Sequence, residues 1–144
     1  MYCVDYFTAE SLDYSEDMTN QYGGKLFDEF RSNIIHSQTY PKVKVVRGET
    51  KASAKYFHEN NIKADLIYVD AGHSREEVLA DLETYLPLLT GPKVFCGDDY
   101  GAPSPADGTF PVKEAVDEFT EKHGLELHLS NNWFWYVVVT GDSS

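Results

Sequence analysis

Two short segments constrain this chain more than any others: Ala64-Asp65-Leu66-Ile67-Tyr68-Val69-Asp70-Ala71-Gly72-His73-Ser74, and Val94-Phe95-Cys96-Gly97-Asp98-Asp99-Tyr100. Each is a short apolar run that ends in acid, and an amphipathic helical pattern separates them. A strand, a helix and a second strand in that order predict a parallel pair. In open α/β sheets, ligands bind beyond the carboxyl ends of parallel strands, so Asp70, Asp98 and Asp99 are directed toward one crevice. They make a candidate metal and active site.

Composition narrows the partners. A chain of 144 residues with 42% hydrophobic and 14% aromatic content has the makings of one domain with a sizeable core. Its formal net charge of -12 produces a field that repels nucleic acid and anionic membrane surfaces. A small-molecule or cationic ligand suits it better. No apolar stretch reaches the roughly 20 residues of a membrane span, and Asp5 stands where a leader would carry basic residues. The expected location is the cytoplasm. Cys3 and Cys96 lie within apolar runs without metal-ligand spacing and read as small buried hydrophobes.

Along the chain, Tyr2-Cys3-Val4 predicts a short strand ending at Asp5, and the acidic stretch from Ser11 to Tyr22 a loop or a poor helix with a solvated surface at Glu10, Asp13, Glu16 and Asp17. Leu26, Phe27, Phe30 and Ile34 recur at helical spacing from Gly24 to near His36. Val43 to Val46 predicts a strand, and Thr50 an N-cap for a helix ending near Glu59. After the strand Leu66 to Val69, Ser74-Arg75-Glu76-Glu77 has the form of a capping box ahead of the stripe Val78, Leu82, Tyr85, Leu86, Leu89. Gly91-Pro92 is expected to stop that helix, and Val94 to Cys96 to form the next strand.

The segment Gly101 to Pro111, rich in proline and glycine, predicts a loop that could serve as a lid. Val112, Ala115, Val116 and Phe119 mark a helix closed by His123-Gly124. Leu125 to Leu129 and Trp133 to Val139 then flank Ser130-Asn131-Asn132 as an antiparallel hairpin, with the run of aromatics from Trp133 to Tyr136 assigned to its core, although one aromatic face could line a substrate pocket. The order β-α-β-α-β-α-β-α-β-β implies an α/β fold with a mostly parallel sheet, helices on both faces and an antiparallel end.

With those residues in place, the chain resembles the class I S-adenosylmethionine (SAM) dependent methyltransferases, closest to the small-molecule O-methyltransferases of the macrocin O-methyltransferase type. Their characteristic run is a strand ending Val-Asp-Gly-Asp-His-Ser, an acidic helix, then a strand ending Gly-Asp-Asp-Tyr. Here those positions read Val69-Asp70-Ala71-Gly72-His73-Ser74 and Gly97-Asp98-Asp99-Tyr100, and Val112 to Phe119 matches a later helix. The likeness runs from Tyr2 to Val139. It implies a three-layer Rossmann-like sheet lacking its usual first strand and helix, in a single N-terminally truncated domain spanning 1–144.

In that family a glycine-rich turn after the first strand cradles SAM. This chain has no such turn, and Gly23-Gly24 lies in the wrong place. Cys3-Val4-Asp5 occupies the position of the family's second strand. The absent strand would be central, so three alternatives arise: a fragment of a longer protein, a strand lent by another subunit, or direct pairing of the second and fourth strands. Strand sharing makes a homo-oligomer, most simply a dimer, the expected assembly.

The resemblance also implies roles. Asp5 would bind the ribose hydroxyls of SAM or cap locally, Glu49 would contact the adenosine side, and Thr50 the adenine edge or merely its own helix. Asp70, counted with the cofactor contacts as well, would join Asp98 and Asp99 around Mg²⁺, whose hard oxygen ligands they suit. His73, with Asp70, is the catalytic candidate: its imidazole could take the proton of a substrate hydroxyl. Relatives place an acid where this chain has Gly72, and its loss bears on base-assisted transfer. The implied function is SAM-dependent O-methylation of a small hydroxylated molecule. The alternatives are a non-catalytic oligomeric module on a degenerate methyltransferase scaffold and a metal-dependent hydrolase.

Overall fold

The structure, a computed structural model, describes residues 1–7 and 26–140. The acidic stretch at 11–22 with Glu10, Asp13, Glu16 and Asp17, and the pair Gly23-Gly24, lie outside the described residues. The element order is β1 (Tyr2–Asp5), α1 (Leu26–His36), β2 (Lys44–Arg47), α2 (Thr50–Glu59), β3 (Ala64–Val69), α3 (Arg75–Tyr85), β4 (Leu89–Gly97), α4 (Pro111–His123), β5 (Leu127–Ser130) and β6 (Phe134–Val139). It is the alternation expected from the sequence. The chain divides into two compact units, Met1–Ser53 and Ala54–Ser144.

In the first unit β1 and β2 pair in parallel, with Tyr2 opposite Lys44 and Asp5 opposite Arg47. The chain turns beyond β1 at Phe7, whose ring is buried against Phe27 and Phe30 of α1 at 5.2 and 4.9 Å between centroids. The Arg47 guanidinium stacks over Phe27 at 4.3 Å, a cation–π contact that covers the ring's other side. The expected apolar spacing of α1 therefore serves one aromatic cluster. Thr50 opens α2 as its first helical residue, while the Glu49 carbonyl accepts the Ser53 N–H at 2.9 Å, so the cap position belongs to Glu49 and not to Thr50.

In the second unit the sheet order is β3-β4-β6-β5, with β3 and β4 parallel and the remaining pairs antiparallel. Register places Ile67, Phe95 and Val137 on one face. Phe95, Phe119 and Trp135 form its centre, with Phe95 edge-on to Phe119 at 5.8 Å and 6.0 Å from Trp135. The helices α3 and α4 bury Val78, Leu82, Val116 and Phe119. On the opposite face Leu66, Tyr68 and Val138 remain exposed, with Tyr68 stacked on Phe134 and His128 on Tyr136.

Three local expectations change. Helix α3 ends at Tyr85, where Leu86-Pro87-Leu88 tightens into a 3₁₀ turn, so Leu86 and Leu89 leave the helical stripe. Gly91-Pro92 lies inside β4 and not between elements. Pairing runs from Ala64 with Leu89 directly to Leu66 with Val94, so Thr90 to Lys93 bulge opposite Asp65, and a proline without an N–H is tolerated there. A Lys93–Asp65 ion pair spans the bulge. At the hairpin, Trp133 falls in the turn and not in the strand, because the Asn131 side chain accepts the N–H groups of both Trp133 and Phe134.

Among the described strands, β1 pairs only with β2 and β3 only with β4. No described helix is long and apolar enough to cross a membrane.

Two measurements probe this packing. Phe95→Ala removes a fully buried ring at the centre of the second unit and should cost about 3–5 kcal/mol in a urea melt. Between the helices, Lys122 donates to Glu83 at 2.7 Å and His123 Nε2 lies 3.1 Å from the same carboxylate. Burial alone would raise the Glu83 pKa, but the hydrogen bonds from Lys122 and His123 outweigh it and hold the carboxyl below its ordinary range. Its contribution is thus present above the unfolded glutamate pKa and lost as pH falls through the folded value. Glu83→Gln should lower stability by less than about 1 kcal/mol near neutrality, the two proteins converging in acid.

Candidate functional site

The loops after β3 and β4 meet because Tyr68 pairs with Cys96 and Val69 with Gly97. That register is possible only with glycine at 97: a Cβ there would lie 2.5 Å from the Val69 carbonyl oxygen and 2.8 Å from the Trp135 ring. Gly101 is constrained in the same way by the Asn132 carbonyl, 2.2 Å from where its Cβ would be. The turn Gly97 to Gly101 is thereby pressed between the end of β3 and the hairpin. It is further pinned by the Tyr100 N–H, which donates to Trp133 O at 3.0 Å, and by the Tyr100 hydroxyl, which donates to Asp117 Oδ1 on α4 at 2.7 Å. Lys113 pairs with the same Asp117.

Within this turn Asp99 adopts φ 61°, a left-handed conformation that aspartate tolerates better than most side chains. Its Oδ2 lies 2.8 Å from His73 Nε2, and Asp70 Oδ1 lies 3.9 Å from the same nitrogen. Asp70, His73 and Asp99 each offer one ligand atom, all within 4.8 Å of one another. Asp98 faces the same cavity, with its Oδ1 accepting the Asp99 N–H at 2.9 Å.

His73 is brought here by the start of α3. The Ser74 side chain accepts the Glu77 N–H while the Glu77 carboxylate accepts from Ser74, the capping box anticipated from the sequence. A Cβ on Gly72 would meet that Glu77 side chain at 2.9 Å. An acidic residue at 72 would thus crowd and repel the capping carboxylate.

The electrostatics follow from the crowding of like charge. Desolvation by burial raises the Asp70 carboxyl, the Asp99 charge adds to it and His73 opposes it. Tyr68, whose hydroxyl lies 3.5 Å from Asp70, is pushed up to about 12 by burial and by the charges of Asp70 and Asp98, and so stays a neutral phenol. Such a cluster favours an added positive charge. Two carboxylates with a third alongside give a hard oxygen donor set that fits Mg²⁺.

The remaining sequence-predicted residues lie in the first unit. Asp5 is the last residue of β1, opposite Arg47, and Glu49 stands two residues beyond the end of β2, with Thr50 next in line. One Asp5 oxygen accepts the Phe7 N–H at 2.7 Å. No glycine-rich turn occurs among the described residues.

Sequence reasoning preferred a core role for Trp135 over a pocket-lining one. Its alternating pattern marks it as core, and it is 1% exposed, yet it also walls the cavity shared by Asp70, His73, Asp98 and Asp99. Only the register of β6 against β4, with Trp135 opposite Gly97, could reveal this.

A family model described as a methyltransferase domain matches residues 1–100. Solved structures of similar fold include an O-methyltransferase from Bacillus cereus in complex with SAH, at TM-score 0.58 and 20% identity, covering 80% of this chain and 59% of that one. Cofactor-bound Rv0187 from MTB matches with TM-score 0.66 and 18% identity over 98% of this chain and 62% of its own. The O-methyltransferase NovP matches with TM-score 0.63 and 18% identity over 96% of this chain and 59% of its own. The chain thus spans 59% to 62% of the length of these structures. No curated protein matches it in sequence.

Gly97→Ala tests the close approach on which the site is built. Because the colliding atoms include backbone, the substitution should destabilise the protein by about 1–3 kcal/mol and shift the Trp135 fluorescence. A neutral result would mean that β3 and β4 can separate without cost.

Proposed function

The chain belongs to the methyltransferase-domain family, and we propose that it transfers the methyl group of SAM to the oxygen of a small hydroxylated molecule, with a divalent cation held by Asp70, Asp98 and Asp99. The fold is the Rossmann-like α/β fold of the class I SAM methyltransferases, and the match over residues 1–100 includes both acidic strand ends. The observation that carries the reading is the convergence of Asp70, His73 and Asp99 within 4.8 Å at those strand ends.

When bound, SAM supplies the activated methyl group, and Mg²⁺ favours the ionised form of a hydroxyl. The residues of this chain do the rest. Asp5 and Glu49 hold the ribose and adenosine side, with Thr50 beside them. Mg²⁺ selects oxygen over nitrogen, so the carboxylates would hold it; with His73 Nε2 donating to Asp99, its Nδ1 is the nitrogen left to take the acceptor's hydroxyl proton. The Asp99 carboxylate at 2.8 Å keeps that imidazole turned toward the cavity. The Gly101 to Phe110 loop, held by Ser104–Thr109 and Asp107–Thr109 hydrogen bonds, borders the site in sequence and is the natural place for substrate selection.

The edges of β1 and β3 that are unpaired among the described residues, together with exposed Leu66, Tyr68 and Val138, support a homo-oligomer; a cytoplasmic location is part of the same proposal. The same edges favour the second reading, a scaffold that assembles without catalysis.

Calorimetric titration with S-adenosylhomocysteine, with and without Mg²⁺ and alongside the mass in solution, separates the two readings. Micromolar binding, worth about -8 kcal/mol, is expected for the enzyme. Asp99→Asn should leave that binding in place while abolishing the heat of Mg²⁺ binding. A folded oligomer that binds neither would overturn the enzymatic reading.

A further inference from the structure

Trp135 carries a polar atom that its packing role does not need. The residue is 1% exposed, its ring lies 6.0 Å from Phe95, and its indole nitrogen has no hydrogen-bond partner among the described residues. A phenyl ring would fill the core without burying an N–H. Leaving such a donor unpaired costs about 1–3 kcal/mol, so buried donors generally have an acceptor.

The cavity that Trp135 lines is about 10 Å³, room for a single water-sized group. Its polar walls are Asp70, Asp98, Asp99 and His73. Ionised carboxylates only accept hydrogen bonds, and the indole N–H only donates. One oxygen atom bearing hydrogens satisfies both: it accepts from the indole and donates to the carboxylates. Absence of a side chain at Gly97 keeps this edge of the ring close to the strand ends, because a Cβ there would sit 2.8 Å from the indole nitrogen.

We propose that Trp135 is a positioning residue of the acidic site, its indole N–H donating to a single water oxygen that bridges it to the carboxylates and so orients them toward a divalent cation. The inference rests on the reading that Asp70, Asp98 and Asp99 hold such a cation. It ties the C-terminal hairpin to a site otherwise built by β3 and β4.

The test uses the whole chain with ¹⁵N-labelled indoles, of which there are two, assigned by Trp133→Phe. In metal-free protein the Trp135 indole proton should show cross-relaxation to a bound water. On titration with MgCl₂ its resonance should shift and saturate together with the heat of binding, while that of Trp133, in the exposed turn, stays in place. Trp135→Phe should weaken Mg²⁺ binding roughly tenfold. If Mg²⁺ binds but the Trp135 resonance is unmoved and shows no bound water, the positioning role is wrong and the cation site stands. If wild-type protein binds no Mg²⁺, the cation reading fails and the positioning role with it. Should Trp135→Phe not fold, the wild-type resonances still decide.

Discussion

The parallel pairing of β3 with β4 is the contact on which the rest of the second unit depends. It sets Val69 against Gly97, and therefore Asp70 beside the Asp98-Asp99 turn, with no freedom to slip. A shift by one residue would reverse every side chain between the packed and the exposed face. It would also bring a Cβ against the Val69 carbonyl. The glycine at 97 is thus a geometric condition for the acidic site, imposed by backbone and not by any ligand.

Two other elements attach to this pair, each through a specific backbone interaction. The capping box of Ser74 and Glu77 fixes where α3 begins and so delivers His73, which lies immediately before the cap, to the carboxylates. The hairpin delivers Trp135 through the antiparallel register of β6 with β4, and Tyr100 and Asp117 fasten the intervening turn to α4. These contacts let the site gather like charges that would otherwise push one another apart. Asp70 shows the strain: burial and Asp99 both raise its pKa.

The first unit is built on a different principle. Its parallel strands are stitched by an aromatic cluster, Phe7, Phe27 and Phe30, closed by the Arg47 guanidinium. Asp5 and Glu49 emerge from adjacent strand ends on that base. Both units therefore present carboxylates at the ends of parallel strands, the feature that in this fold class marks the ligand side.

The sequence by itself determined the element order, the capping box at Ser74, the left-handed stop at Gly124 and the hairpin, because each depends on contacts within a few residues. It also singled out Asp70, His73 and the Asp98-Asp99 pair, since acids at the ends of apolar runs are visible without knowing what lies beside them. Only the tertiary structure decided which of them touch. His73 meets Asp99, far along the chain, more closely than its near neighbour Asp70, and Asp98 turns one oxygen back to its own loop. The same holds for Gly91-Pro92, where turn residues were absorbed into a strand because the bulge opposite Asp65 leaves the missing N–H unneeded. It holds for Trp135 as well, since burial can be read from alternation but the place of an indole nitrogen depends on the neighbouring strand. Register between strands distant in sequence is a property of the whole sheet, and the chemistry of this site is written in that register.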